Sequence, residues 1–243
     1  MFNFYQVGGC VRDLIMGVES KDIDYVAVPK SYVFTGHGVN HIFDLLVKHL
    51  KEKGYEIFLI TPEMFTIRAK FPSDHLHKGM VADFVLARKE LGYKEGTREP
   101  IVVVGTLLDD LERRDFTVNA IAKTDDGRYI DPYFGVGDIG KRRLRCTVSA
   151  EKSFNDDPLR ILRAIRFAIT KGFIMDRDIV DAISEFDYAN KMKVVSNERI
   201  REELHKCFKV DSTLTLTFLY AYPRLFHYIM TQTGIWLKPT FEK

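Results

Sequence analysis

Two carboxylates stand two residues apart at Asp22 and Asp24, leading into the apolar run Tyr25-Val26-Ala27-Val28. Side chains alternate along a strand, so both carboxylates share one face and Ile23 takes the other. Such a pair attracts divalent cations. Mg²⁺ in particular binds through one or two carboxylates together with substrate phosphates, and a two-metal pair can activate an attacking hydroxyl while stabilising a pyrophosphate leaving group. Upstream, Gly8-Gly9-Cys10-Val11-Arg12-Asp13 reads as a strand turning into a helix. Glycines there would leave backbone N–H groups at the helix start open to phosphate oxygens, and Arg12 could add charge to the same place. Each feature alone has an ordinary alternative: a Gly-Gly strand-to-helix turn, or an Asp-x-Asp in a turn or on a solvated edge. The two in close succession favour the functional reading.

Basic residues cluster further on. Arg113-Arg114-Asp115 could be a solvated helix end with Asp115 capping a helix from Phe116, but Arg114 is the candidate for a phosphate or ribose contact. From Asp157 to Ile169 helical geometry of about 100° per residue puts Asp157, Arg160, Arg163 and Arg166 on one side, opposite Pro158, Leu162, Ile165 and Ile169. Three arginines without acidic partners at i±4 in their own helix repel one another unless an anion sits among them, and a triphosphate would serve. Phe167 interrupts the basic face and is expected to pack on another element. Asp157 before Pro158 also suits a helix N-cap followed by proline at N1. Asp83, in a strand-like run, could supply a third acidic group or be a solvated strand position. Gly135-Val136-Gly137-Asp138-Ile139-Gly140-Lys141 imitates two phosphate-loop patterns. It lacks a hydrophobic strand before it and has Arg142 where a Walker loop needs Ser or Thr, so it reads as a turn.

These residues need elements to position them. Strand-like runs are predicted at Phe2–Val7, Ile23–Val28, Glu56–Ile60, Phe65–Phe71, Met80–Leu86 and Ile101–Val104, with a helix at Asn40–Lys53 capped by Gly54. From about Gly135 helical periodicity takes over, at Pro158–Thr170, Arg177–Glu185, Glu198–Phe208 and Thr213–Tyr222. The chain has 243 residues, 46% hydrophobic and 29% charged, with 36 Lys plus Arg against 34 Asp plus Glu. That composition excludes disorder and a polybasic tail, so any nucleic-acid contact must come from local clustering. Three separated cysteines without a C-x-x-C pair suggest neither zinc nor a disulfide framework, and fit a cytoplasmic location. The N-terminus does not read as a secretory signal, and Leu214–Met230, broken by threonines and Pro223-Arg224, is too short for a membrane span, so no membrane is expected.

Gly-Gly-x-Val-Arg-Asp-x-x-x-Gly from Gly8 to Gly17, followed by Asp22-x-Asp24, resembles the opening of the class II (bacterial-type) tRNA nucleotidyltransferase and poly(A) polymerase family. Later blocks agree in order. Arg113-Arg114-Asp115-Phe116-Thr117 resembles the family's nucleotide-contacting block. Ile130-Asp131-Pro132-Tyr133-Phe134-Gly135 with Asp138 resembles the next, and Asp157-Pro158-Leu159-Arg160 through Arg163, Arg166 and Phe167 the one after it. Arg199-Ile200-Arg201-Glu202-Glu203 fits the Arg-Ile-x-x-Glu element that accompanies CCA addition in that family.

The resemblance implies an α+β fold: a polymerase-β-like nucleotidyltransferase palm, a mixed sheet with helices, followed by an all-helical neck. The head is expected over 1–135, the nucleotide-selecting neck over 136–209 and a short helical segment over 210–243. It implies CMP or AMP transfer from CTP or ATP to an RNA 3′-hydroxyl with release of pyrophosphate, and the Arg-Ile-x-x-Glu element directs the expectation towards tRNA. Asp22 and Asp24 would hold Mg²⁺ and carry catalysis, with Asp83 a further metal ligand. Gly8, Gly9, Arg12, Arg114, Arg163 and Arg166 would bind triphosphate and sugar, while Asp157 and Arg160 would read the base edge. The family's leading Glu of that last block is Asp156 here, which bears on how Arg160 is oriented. A poly(A) polymerase, a CC-only or A-only enzyme, and a non-catalytic RNA- or nucleotide-binding module are the competing expectations. Only some forty residues follow Leu204, so a short form without most of the body and tail is expected. The apolar Leu214–Met230 segment would then be either a helix closing the neck or a surface for a second copy or partner.

Overall fold

The computed structural model describes residues 1–20, 23–30, 38–93 and 100–232; Asp22 lies outside the described residues. The chain divides into two compact units, one of residues 1–92 and 100–139, the other from Gly140 onward.

The first unit runs β1 (Phe2–Val7), α1 (Gly9–Ile15), β2 (Ile23–Pro29), α2 (Val39–Glu52), β3 (Glu56–Thr61), β4 (Thr66–Lys70), β5 (Val81–Leu86), β6 (Arg88–Tyr93), β7 (Pro100–Val104), α3 (Leu107–Glu112), β8 (Ala122–Lys123), β9 (Tyr129–Ile130) and α4 (Gly135–Gly140). Seven strands form one mixed sheet in the order β3-β4-β5-β2-β1-β8-β9, in which β2 and β5 are parallel and the other pairs antiparallel. Strands β6 and β7 pair separately. Central position explains the sequence of β2. Ile23, Tyr25 and Ala27 join Ile42, Phe43, Leu46 and Leu50 of α2 in one core, while Val26 joins Val7, Leu111 and Ala120 in another. A strand covered on both faces reads as a nearly continuous apolar run. The alternation leaves Asp24 on the face opposite α2, as expected. Helix α2 ends at Gly54, whose φ of 80° is the left-handed conformation that glycine adopts without Cβ strain, and the Tyr55 N–H closes onto the Leu50 carbonyl at 3.1 Å.

The second unit contains β10 (Arg143–Leu144), α5 (Ala150–Asp156), α6 (Leu159–Lys171), β11 (Ile174–Met175), α7 (Arg177–Glu185), α8 (Tyr188–Lys191), α9 (Asn197–Val210), α10 (Ser212–Ala221) and α11 (Pro223–His227). Helix α6 is its centre, packing on α9 and α5. Ile161, Leu162, Ala164, Ile165, Phe167, Ala168 and Ile169 are buried, which leaves only a narrow half-exposed stripe carrying Arg160, Arg163 and Arg166. Phe167, which interrupts the basic face on the helical wheel, is buried and packs beside Phe173 (ring centroids 6.1 Å), as expected of it. Each large aliphatic side chain buried this way contributes about 1.5–3 kcal/mol. Helix α10 packs on α9 and α6, with Thr215 and Leu219 buried, in line with one of the two roles expected for this segment, and leaves Leu214, Leu216 and Tyr220 exposed. No helix among the described residues is long and apolar enough to cross a membrane.

Candidate active site

The glycine turn joins β1 to α1. Gly8 has φ 76°, and a Cβ placed on it would lie 3.0 Å from Nη1 of Arg114 and 3.5 Å from Oδ2 of Asp24. Three residues far apart in sequence therefore converge on one backbone position. Beside them, Asp83 of β5 pairs in register with Asp24 of β2, so the two carboxylates occupy the same face of adjacent parallel strands, about 4.8 Å apart in backbone spacing. Arg68 of β4 approaches Asp83 through both oxygens, with Nε 2.8 Å from Oδ1 and Nη2 2.9 Å from Oδ2. Asp83 is thus an ion-paired strand residue next to Asp24 and not a plainly solvated one. Cys10 donates to the Val7 carbonyl at 3.1 Å; burial pushes its thiol above the ordinary value and the Asp24 charge adds to the shift, so it stays protonated there.

Arg114 is held from behind by a carboxylate that the sequence reading passed over. Asp110, fully buried in α3, accepts from Arg114 Nη2 at 3.0 Å and from Arg113 Nε at 3.0 Å. Burial alone would push the Asp110 carboxyl up, but the charges of Arg113 and Arg114 outweigh it and hold the pKa below the ordinary aspartate value. The i−4 spacing of Asp110 and Arg114 on a helix face was the available signal. Arg12 is also buried. Its Nη1 donates to Asn119 Oδ1 at 2.6 Å and its Nε to Asp13 at 2.9 Å, so it ties α1 to the short turn after Asp115. Asp115 accepts from the Phe116 N–H and from Asn119 Nδ2, both at 2.9 Å, and the element that follows is a 3-10 turn over Thr117–Asn119 in place of a longer helix. The phosphate-loop imitation is occupied internally: the Gly135 and Val136 N–H groups donate to the Asp131 carboxylate at 2.7 and 2.9 Å. A Cβ on Gly135 would fall 2.1 Å from the Thr117 carbonyl oxygen, so glycine is required there by close packing.

In the second unit the chain turns a corner at Asp157, whose backbone is extended between α5 and α6. Its carboxylate accepts from the Leu159 N–H at 3.0 Å, the capping role that suits an Asp-Pro start. Arg160 donates from Nη1 to Ser153 Oγ at 2.9 Å. Arg166 donates from Nε to Glu203 Oε2 at 2.5 Å, and Lys206 lies 3.3 Å from the other Glu203 oxygen. Glu203 is the buried last residue of the Arg-Ile-x-x-Glu pattern. The arginine row thus has an acidic partner after all, contributed by α9 and invisible to spacing within α6. Arg163 is half-buried between its two neighbours in the row.

A mixed sheet with neighbouring carboxylates on one face, and a glycine turn and an arginine beside one of them, is the arrangement of a polymerase-β-like nucleotidyltransferase head. Residues 4–145 match the poly A polymerase head domain, and the chain belongs to that family. It is 33% identical over 210 residues to the CCA-adding enzyme of Limosilactobacillus reuteri (strain DSM 20016), covering 84% of this chain and 45% of that protein. It is 35% identical over 212 residues to the CCA-adding enzyme of Buchnera aphidicola subsp. Schizaphis graminum (strain Sg), covering 84% and 44%. The fold is similar to the Bacillus stearothermophilus CCA-adding enzyme in complex with CTP, with TM-score 0.64 and 26% identity over 96% of this chain and 49% of that one. It is similar also to a tRNA nucleotidyltransferase complexed with a primer tRNA and an incoming ATP analog, with TM-score 0.68 and 26% identity over 95% and 60%. The chain spans about half the length of the curated relatives it matches. The family read from the motifs is the one found.

Proposed function

We propose that this protein is an Mg²⁺-dependent RNA 3′-end nucleotidyltransferase that adds CCA to tRNA, transferring CMP and AMP from CTP and ATP to the 3′-hydroxyl with release of pyrophosphate. The observation that carries the reading is the convergence of Asp24 and Arg114 on Gly8, with Asp83 in register beside Asp24. Hard carboxylate oxygens on one sheet face suit Mg²⁺, so Asp24 and Asp22 would hold it, with Asp83 as a further ligand. When bound, the ion would lower the pKa of the attacking hydroxyl and neutralise charge on the transferring phosphoryl group.

The protein groups divide the remaining work. The open backbone of Gly8 and Gly9 admits a triphosphate, Arg114 offers its guanidinium to phosphate or ribose, and Arg12 holds the turn in shape as well as adding positive charge. Asp157 would accept from the exocyclic amino group that C and A share, while Arg160 would donate to the adjacent ring nitrogen; U and G present the opposite polarity. Arg163 and Arg166 would add charge for the triphosphate. In domain terms, residues 1–135 are the head, 136–209 the neck and 210–243 a C-terminal segment. The exposed Leu214, Leu216 and Tyr220 of α10 offer a surface for a second copy or a partner, and sedimentation at increasing concentration tests it. A cytoplasmic location accords with this chemistry.

The test is a transfer assay with tRNA ending before CCA and each of the four nucleotides. Wild type should incorporate C and then A, and Asp22→Ala with Asp24→Ala should abolish incorporation with the thermal midpoint retained. Mg²⁺-dependent incorporation by the double variant would refute the metal assignment; ATP runs without CTP incorporation would make the protein a poly(A) polymerase.

A further inference from the structure

The family's leading Glu is Asp156 here, and the structure shows a further residue, Ser153, bonded to Arg160. Ser153 lies on α5 with no exposed surface. Its hydroxyl oxygen accepts from Arg160 Nη1 at 2.9 Å across the α5–α6 corner. Its backbone carbonyl accepts from the Asp157 N–H at 3.1 Å. One buried residue is therefore bonded to both members of the pair assigned to base reading: to Asp157 through the main chain and to Arg160 through the side chain.

We infer that Ser153 is a positioning residue for nucleotide selection, an inference that rests on the assignment of Asp157 and Arg160 to the base edge. The guanidinium is planar and its donors form a rigid fork, so fixing Nη1 sets the direction in which the remaining N–H groups point. A hydroxyl does this without cancelling the positive charge, which a carboxylate would partly do. The Asp157–Ser153 main-chain bond meanwhile fixes where the acidic partner begins. The spacing between an acceptor and a donor facing one base edge is thereby referred to an anchor on α5 that the two share. Loss of the hydroxyl should reduce discrimination among bases more than it reduces affinity for what all nucleotides share.

The experiment is calorimetric titration of the full chain with CTP, ATP, UTP and GTP in Mg²⁺ without RNA, so that no turnover intervenes. The variants are Ser153→Ala, Ser153→Thr, Arg160→Ala and the double variant Ser153→Ala with Arg160→Ala. Alanine is smaller than serine and a good helix former, so the fold should persist. Ser153→Ala should lower the preference for CTP over UTP about tenfold, the scale of one hydrogen bond to a charged group, while UTP affinity stays within about twofold of wild type. Ser153→Thr, which keeps the hydroxyl, should retain the preference. In the Arg160→Ala background, Ser153→Ala should change the preference no further. Arg160→Ala lowering the preference while Ser153→Ala leaves it intact would overturn the role of Ser153 and spare the base-reading assignment. Equal, additive losses in both backgrounds would also overturn it. An unchanged preference in Arg160→Ala would remove the base-reading assignment, and the role of Ser153 with it.

Discussion

Asp110 gives the sharpest test of how this site is built. Its carboxylate is fully buried and shared between Arg113 and Arg114, whose side chains are 18% and 17% exposed. Asp110→Asn keeps the shape and removes the charge, leaving two guanidinium groups facing a neutral amide. Breaking a buried pair costs about 3–5 kcal/mol, and because both arginines reach some solvent the lower end, about 3 kcal/mol, is expected here. For a chain of this size that corresponds to a fall of roughly 10 °C in the thermal midpoint. Arg113 has a second carboxylate, Glu90, at 3.8 Å, whereas Arg114, which also donates from Nη1 to the Asn119 carbonyl at 3.5 Å, loses two charge-assisted bonds that help to hold it beside Gly8 and Asp24. Nucleotide use should therefore fall as well, about 10- to 100-fold in kcat/KM, the scale of one or two charge-assisted contacts. The pH dependence has a definite sign. Because the folded pKa of Asp110 lies below its unfolded value, its stabilisation is complete above the unfolded value and is lost as pH falls through the folded one. Urea denaturation of wild type and variant should show a constant gap from pH 8 to about 5 that closes in stronger acid. An unchanged midpoint, or a gap that persists below the folded pKa, would refute the reasoning.

Two further substitutions probe close approaches. Gly8→Ala places a methyl 3.0 Å from Arg114 Nη1 at a φ of 76°; the backbone strain is about 1–2 kcal/mol, but displacement of Arg114 should lower kcat/KM at least about tenfold, so steady-state kinetics beside a melting curve should show activity falling out of proportion to stability. Gly135→Ala meets the Thr117 carbonyl oxygen at 2.1 Å, a main-chain atom that cannot swing aside; it should cost about 3 kcal/mol or more, and a melting point within about 2 °C of wild type would show that the α4 start is not packed as described.

What could be read in advance follows from the range over which each cause acts. Strands β1, β2 and β5 and helices α6 and α7 carry their own periodicity, and their predicted limits fall within about two residues of the observed ones, the usual uncertainty of element ends. Strand β6, with the sequence Arg-Lys-Glu-Leu-Gly-Tyr, has neither alternation nor β-branched residues, and α5 is seven residues long with few apolar positions, so neither announced itself. The same division runs through the site. Asp24 and Arg114 could be named because a strand period and a motif fix them locally. The side chains that hold the reactive groups could not, since their partners are distant: Arg12 meets Asn119 across 107 residues of sequence, and Arg166 meets Glu203 across 37. Asp110 and Ser153 are nearer to their arginines but read as an unremarkable helix acid and a helix serine until burial is known. Burial is what gives them force, because a buried polar group must find its partner or cost the fold its desolvation. The residues proposed to face substrate were thus legible by type and spacing, and the side chains bonded to them only by the packing that excludes water from around them.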